Sequence, residues 1–139
     1  MAVETYSIEV ETEGFADVID ITSEVQDAVS KYEIQTGLVC VFVAGSTGAV
    51  TTIEYEPGLV QDLKEAFERV ASERAEYRHN LRWGDGNGFS HVRAAFLGPS
   101  LTVPVEDGKL QLGTWQQIVF MDFDNRPRSR RLSVTVMGE

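Results

Sequence analysis

The sequence predicts an α+β domain with a largely antiparallel sheet, or a barrel-like β-core, and two main helices. Two segments place apolar residues at the helical spacing of i, i+3, i+4 and i+7. Much of the remaining chain alternates apolar and polar residues, as half-buried strands do. The last third of the chain shows five such strands in succession, joined by links too short for parallel crossovers. Two helices against a mainly antiparallel sheet give the α+β class.

The first strand and the first helix are predicted before Gly37. Residues 3–11 alternate apolar and polar side chains and predict a half-buried strand, which ends before Gly14. Ser23 and Gln26 have the spacing of a capping box at the start of a helix. The apolar stripe of this helix consists of Val25, Ala28, Val29 and Tyr32.

Two further strands and the second helix are predicted next. The run Leu38–Ala44 is apolar throughout and rich in β-branched residues, which is typical of a strand covered on both faces. The polar break at 45–48 separates it from a strand over residues 49–55. Pro57 suits the first turn of a helix that continues to Ala71.

From His91 onward the pattern predicts only strands. Residues 92–96 and 101–105 alternate, and Asp107-Gly108 is a strong hairpin signal after the second of these. Trp115–Phe123 is predicted as a long strand with apolar residues on both faces. Residues 132–136 alternate again and form the last strand.

Composition limits the kinds of function. The chain has 139 residues, is 42% hydrophobic and 24% charged, and is expected to form one domain over residues 1–139. Its net charge of −10 disfavours nucleic acid as a partner but leaves small anions possible. There is no apolar run of membrane-spanning length, and the N-terminal residues do not look like a signal peptide. Cys40 is the only cysteine and is expected in the core, so we expect a cytoplasmic protein that binds no membrane.

The two histidines are the first candidate site. His79 and His91 lie at the ends of a glycine-rich loop, and imidazoles are common metal ligands and acid/base groups. Their separation by 12 residues matches no tight zinc motif, so they could also be unrelated polar residues. The loop between them, Asp85, Gly86, Asn87 and Gly88, could offer amides or oxygens to a phosphate or a cation. Because the loop is predicted to precede a strand, it is not a P-loop, and it could be an ordinary solvated loop.

Two other polar segments are candidates for binding a substrate. Ser46 and Thr47 interrupt two apolar strands and could present hydroxyls to a ligand, or they could form a local turn. Gln116 lies on an otherwise apolar strand, where its amide could contact a ligand or pair with the backbone. No serine has the setting of a nucleophile elbow, which disfavours a Ser-His hydrolase.

Several motifs in order resemble the YjbQ family over nearly the whole chain. They are Tyr77–Asn80, Ser90–Ser100, the Leu110–Gln117 segment with Gly113-Thr114-Trp115, the ending Val134–Glu139, and Ser46-Thr47 with Thr51–Glu54.

The resemblance implies an α+β domain, usually a homotrimer, with a metal-capable site near the subunit boundary. It also implies a secondary thiamine-phosphate synthase activity, which joins a pyrimidine pyrophosphate to a thiazole phosphate and releases pyrophosphate. On this view His79 and His91 would hold zinc or magnesium or donate protons, with Asn80, Asp85 and Asn87 in support. The alternative is a metal- or small-ligand-binding oligomer without catalysis, and a phosphate-ester hydrolase is a weaker option.

One departure from the family bears on the metal. Many members carry a histidine where this chain has Gly45, so one potential ligand is absent here. Ile53 stands where an asparagine is common, whereas Glu54 matches the family pattern.

Self-association is expected for a second reason. If Trp115–Phe123 is apolar on both faces, one face could need a neighbouring subunit to cover it. We therefore expect a trimer with the His79–His91 loop close to a subunit boundary. A monomer whose own helices cover both faces is the alternative.

Overall fold

The computed structural model describes all 139 residues, which form eight strands and four helices. In chain order they are β1 (Ala2–Thr12), β2 (Asp17–Asp20), α1 (Thr22–Lys31), β3 (Thr36–Val43), β4 (Gly48–Ile53), α2 (Pro57–Val70), α3 (Arg78–Trp83), α4 (Gly88–Leu97), β5 (Ser100–Glu106), β6 (Lys109–Leu110), β7 (Gln117–Asp122) and β8 (Arg128–Gly138). Every strand pair is antiparallel, which confirms the predicted α+β class. No helix is long and apolar enough to cross a membrane.

The strands form two sheets. The larger sheet has the order β1-β8-β3-β5-β6, and the smaller one has the order β2-β7-β4. Asp107 and Gly108 have positive φ angles of 51° and 73° and close the β5–β6 hairpin, as the sequence predicts. The hairpin is held from α1, because Gln26 donates to the carbonyl of Gly108 and accepts from the amide of Leu110.

Two hydrophobic cores lie on opposite faces of the smaller sheet. One face, which includes Ile118 and Phe120, packs with α1 against the buried face of the larger sheet. The other face, which includes Val119, Met121 and Phe123, packs against Phe67 of α2 and Ala94 of α4. The molecule therefore has three layers: the large sheet, the small sheet and a layer of helices. Both faces of β7 are covered within one chain, and helices cover the second face, so β7 itself gives no reason to expect a neighbouring subunit.

The strand predicted over residues 92–96 is instead helix α4. The alternation of apolar residues suggested a strand, but the buried side chains of this segment include Phe89, Ser90, Arg93 and Ala94, which recur at helical spacing. Arg93 is only 2% exposed because it donates to the carbonyl of Ala71 and to Glu68. A charged residue on the buried face disguised the helical period.

Four other predictions need correction. The Leu38–Ala44 run is covered on one face only: Val39 and Val41 are fully buried, whereas Leu38 and Phe42 are 42% and 43% exposed. Cys40, expected in the core, is partly exposed on the same outer face as Leu38 and Phe42. Helix α1 begins at Thr22 without a side-chain cap, so the predicted capping box does not form, and Gln26 serves the hairpin instead.

At the other end of the chain, β7 begins at Gln117, and Trp115 lies in the preceding turn with 72% of its surface exposed. The short elements β2 and α3 have no counterpart in the sequence prediction. Both are too short for a hydrophobic period to develop.

Candidate functional site

The two histidines lie side by side at the junction of α3 and α4. Their ring centroids are 4.2 Å apart, and the ring planes are inclined by 40°. His79 is on α3, a helix with no buried residue, and His91 is in the first half of α4. The glycine-rich loop therefore reverses the chain between two helices and brings the imidazoles into contact. The predicted pairing of these residues as one site is consistent with this geometry.

Asn80 and the glycines of the loop hold the two helices together. Gly84 ends α3 with a left-handed φ of 69°. Asn80 Oδ1 accepts a hydrogen bond of 2.8 Å from the amide of Gly88, the first residue of α4. A Cβ atom at Gly88 would lie 2.5 Å from the Cβ of Tyr77, so only glycine allows this approach. Asn80 thus acts on the site by joining α3 to α4.

Each histidine has a distinct electrostatic environment. Burial, followed by the nearby positive charge of a protonated His79, lowers the pKa of His91 below its usual value, and Asp85 and Asp124 oppose this effect. His79 Nδ1 is buried without a hydrogen-bond partner and lies 3.7 Å from Asp85 Oδ1. This distance is too long for a hydrogen bond between the two side chains.

A buried ionic network supports the loop from below. Arg130 donates two hydrogen bonds to Asp122, which is fully buried, and Arg128 donates to Asp124, which is 1% exposed. Asn87 donates to Asp124, so the network reaches the glycine-rich loop. Burial raises the pKa of Asp124, but the hydrogen bonds from Asn87, the Asn125 amide and Arg128 outweigh it, and the net pKa is lowered.

Sequence reasoning missed this network altogether. Its two aspartates follow an apolar strand and its two arginines open the next one, which suggests ordinary solvent-exposed residues. Only the spacing Asp-x-Asp before a turn and Arg-x-Arg after it could have suggested the pairing, because residues i and i+2 share one face of a strand.

The loop between β3 and β4 forms a second wall beside the histidines. Gly45 and Ser46 line a cleft of about 250 Å³ together with His91, Gly48, Ala94 and Pro99, among others. Thr47 is buried, and its Oγ1 accepts a hydrogen bond of 2.8 Å from Arg130, so it positions the loop. Of the two predicted hydroxyl contacts, only Ser46 faces the cleft.

Of the remaining predicted residues, three lie in the loop beside the histidines and Gln116 lies elsewhere. Asp85, Gly86 and Asn87 form the loop itself, and Asn125 Nδ2 ties that loop to the β7–β8 turn by donating to the Asp85 carbonyl. Gln116 is not near them. It bonds to Thr52 and to the Gly113 amide, and it precedes β7, whereas the network and the glycine-rich loop meet at the other end of that strand.

The side chains present do not by themselves make a complete metal site. Catalytic zinc sites typically use three protein ligands, and no group of three His, Cys, Asp or Glu side chains is placed to hold an ion. The histidine pair offers two imidazoles, and Gly45, which lines the cleft beside His91, adds no donor. His79 Nδ1 faces Asp85 Oδ1 at 3.7 Å and has no hydrogen-bond partner.

Comparisons with known proteins identify relatives across the whole fold. The family model described as UPF0047 protein YjbQ-like matches residues 6–139. A UPF0047 protein of Methanothermobacter thermautotrophicus is 40% identical over 139 residues, covering 100% of this chain and 95% of the relative. YugU of Bacillus subtilis is 32% identical over 134 residues, covering 95% and 98%.

Solved structures agree with the sequence relatives. A hypothetical protein from Aeropyrum pernix superposes with a TM-score of 0.91 at 35% identity, covering 98% of this chain and 99% of the other. A YbjQ-like protein of unknown function from Sulfolobus solfataricus superposes with a TM-score of 0.89 at 32% identity, covering 99% and 100%. This chain belongs to the UPF0047, YjbQ-like family of proteins of unknown function.

Proposed function

We propose that the His79–His91 pair is the reaction centre of a transferase that resembles secondary thiamine-phosphate synthase. The observation that carries this proposal is the direct contact of two imidazoles, one beside a carboxylate and one lining a cleft. In the proposed reaction the thiazole nitrogen attacks the methylene carbon of the pyrimidine pyrophosphate. The C–N bond forms, the C–O bond breaks, and pyrophosphate leaves with the bonding electrons.

The imidazoles would act on the leaving group. The thiazole nitrogen carries no hydrogen and attacks with its lone pair, so it forms a thiazolium without losing a proton. The reaction therefore needs no general base at the nucleophile. What the reaction needs is stabilisation of the negative charge that develops on the pyrophosphate. Because His79 Nδ1 faces Asp85, Nε2 is the nitrogen that would contact the leaving group, and it can donate a hydrogen bond there only when the ring is protonated. A neutral His91 still carries one N–H donor.

Turnover with both substrates tests this proposal. Purified protein is incubated with the pyrimidine pyrophosphate and the thiazole phosphate, with and without magnesium or zinc, and thiamine phosphate is measured. We expect the double variant His79→Ala/His91→Ala to lose at least about 99% of the rate. The matched control Gln61→Ala, on the exposed face of α2, should keep it. Equal product from the double variant and the wild type would refute the assignment.

The second candidate is a small-ligand-binding oligomer without catalysis. The incomplete set of metal donors favours it, since only two imidazoles converge where a catalytic metal needs more. A thermal-shift screen of phosphorylated heterocycles and divalent metals separates the two candidates. Stabilisation that disappears in the double histidine variant, with no product formed, would support the binding role.

We further propose that the chain assembles as a homotrimer through the outer face of the large sheet. Three successive rows of outward-facing side chains across β1, β8, β3 and β5 carry no charge. They are Val3, Met137, Leu38 and Pro104; Thr5, Thr135, Cys40 and Thr102; and Ser7, Ser133, Phe42 and Ser100. Interface cores are depleted of charge in this way, although 24% of the chain is charged. The next row begins with the ion pair Glu9–Arg131, which would form a polar rim.

Helix α3 supplies a second apolar surface, as a ring of heterologous contacts requires. Leu81 and Trp83 are 88% and 64% exposed, and their helix buries no residue of its own. Contact between α3 and the sheet face of a neighbour would place the histidines near a subunit boundary. Light scattering measures the assembly, and Leu38→Glu should reduce it to the 15.4 kDa monomer. Val70→Glu, at a more exposed apolar position on α2, is the control. A monomeric wild type would refute the trimer.

A further inference from the structure

Basic side chains are concentrated at the start of β8 and the turn before it. Of the twelve lysines and arginines, four lie within six residues: Arg126, Arg128, Arg130 and Arg131. Three of these are paired, with Asp124, Asp122 and Glu9 respectively. Arg126 is exposed and has no hydrogen bond or ion pair from its guanidinium. In a chain with a net charge of −10, this is an uncompensated positive charge at a fixed turn.

Arg126 lines a cleft that contains no hydrophobic residue. The cleft has a volume of about 340 Å³, and its walls are Asp85 and Asn87 on one side and Asn125, Arg126 and Arg128 on the other. Arg128 uses Nε and Nη2 for Asp124, which leaves Nη1 without a partner. Two guanidiniums therefore offer unused N–H donors at one small polar cleft.

The two walls are fixed to each other before any ligand arrives. Asn125 Nδ2 donates to the Asp85 carbonyl at 2.8 Å, and Asn87 Nδ2 donates to Asp124 at 3.1 Å. Asp124 in turn holds Arg128 at 2.7 Å. A cleft held in this way loses little conformational entropy on binding, which favours a small ligand.

We propose that this cleft binds the phosphate or pyrophosphate group of a small molecule, with Arg126 as its main contact. Guanidinium groups match the oxygens of a phosphate in pairs, and two of them suit a group with several acceptor oxygens. The Asp85 carboxylate is the one opposing charge in the wall, and its Oδ1 atom lies 3.7 Å from His79 Nδ1.

The cleft adjoins the histidine pair, because Asp85 lines the cleft and lies 3.7 Å from His79. An anionic group held by Arg126 would place the rest of its molecule beside the two imidazoles. The proposal that the cleft holds the phosphate group of the substrate rests on the proposed function, whereas the binding of phosphate itself does not.

Calorimetric titration with inorganic phosphate, pyrophosphate and citrate at 0.15 M salt tests the proposal. Pyrophosphate should bind the wild type, and Arg126→Gln should weaken its binding about tenfold or more, since it removes charge-assisted hydrogen bonds. Arg131→Gln removes the same charge from an exposed pair and should change the affinity by less than about twofold. Asp85→Asn should strengthen the binding.

The outcomes separate this proposal from the proposed function. The inference stands, and catalysis fails, if Arg126→Gln alone abolishes pyrophosphate binding while no thiamine phosphate is formed by any form of the chain. It is overturned if the wild type binds neither phosphate nor pyrophosphate, or if Arg126→Gln and Arg131→Gln weaken binding equally. Citrate binding that matches pyrophosphate binding would overturn the assignment to phosphate. If Arg126→Gln turns over with an unchanged KM, the cleft does not bind the substrate's phosphate, but the proposed transferase activity still stands.

Discussion

The substitution Arg130→Met should lower the free energy of unfolding by about 3–5 kcal/mol, because it leaves a buried carboxylate without its counter-charge. Asp122 is fully buried and accepts four hydrogen bonds. Two come from Arg130, at 2.8 and 3.0 Å, one from Thr12 at 2.6 Å and one from the Asp124 amide at 3.0 Å. Methionine keeps the length of the stem but removes two of the four donors and the positive charge.

The size of the effect can be checked in a second way. Hydrogen bonds to charged groups contribute about 1.5–3 kcal/mol each, so two of them give about 3–6 kcal/mol, which agrees with the range for a broken buried pair. For a chain of this length the change in Tm is about 3–5 °C per kcal/mol. We therefore expect the Tm of Arg130→Met to fall by roughly 10–25 °C.

Urea unfolding followed by circular dichroism measures this loss. The control Arg131→Met breaks an exposed ion pair with Glu9 and should cost less than about 1 kcal/mol. The double variant Asp122→Leu/Arg130→Met removes both charges and should recover part of the loss. A cost below about 1 kcal/mol for Arg130→Met would show that water or a neighbouring group compensates Asp122, and the reasoning would be wrong.

Three further outcomes can be measured on the same protein. Gly88→Ala should lower the free energy of unfolding in urea by about 1–3 kcal/mol, because its methyl group would lie 2.5 Å from the Cβ of Tyr77. In the control Gly84→Ala the methyl group meets nothing within 4 Å, so this variant should cost only about 1 kcal/mol. The pKa of His91 is lowered in the fold, so between that pKa and 6.5 the folded state binds fewer protons than the unfolded state. The free energy of unfolding should therefore fall as the pH drops through this window. His91→Gln should lose this pH dependence. Gly45→His should increase zinc affinity in calorimetry, because position 45 lines the cleft beside His91. It should also lower the Tm, because residue 45 has a φ of 122°, which suits glycine. An unchanged zinc affinity would show that the added imidazole does not reach the histidine pair.

The strands were predictable because burial on one face imposes a period of two on the sequence. Val39, Val41 and Val134, Val136 alternate with outward residues and lie in one core. The helix α4 escaped the same reasoning because Arg93 occupies its buried face, where its charge is balanced by Glu68. A hydrophobic pattern cannot show that a buried arginine is paired with a glutamate whose side chain is 47% exposed.

The histidines and the glycine-rich loop of the candidate site were predictable from the sequence, but their arrangement and the ionic network beneath them were not. The composition around His79 and His91 showed that polar and flexible residues cluster there. Their contact depends on the turn between α3 and α4, which a spacing of 12 residues does not encode. The ionic network depends on long-range pairing, because Asp122 pairs with Gly48 at the start of β4, and Arg130 links Asp122 to Thr47 of the β3–β4 loop.

The pairing of β1 with β8 has a consequence for how the chain is made. Tyr6 pairs with Val134, and Leu132, the partner of Ile8, lies two residues beyond Arg130. β1 leaves the ribosome long before β8, so its edge stays unpaired through most of synthesis. The ionic network under the glycine-rich loop also cannot form until Arg128 and Arg130 have been synthesised. Contacts this distant in sequence slow folding, so the polar site should be among the last parts of the nascent chain to take shape.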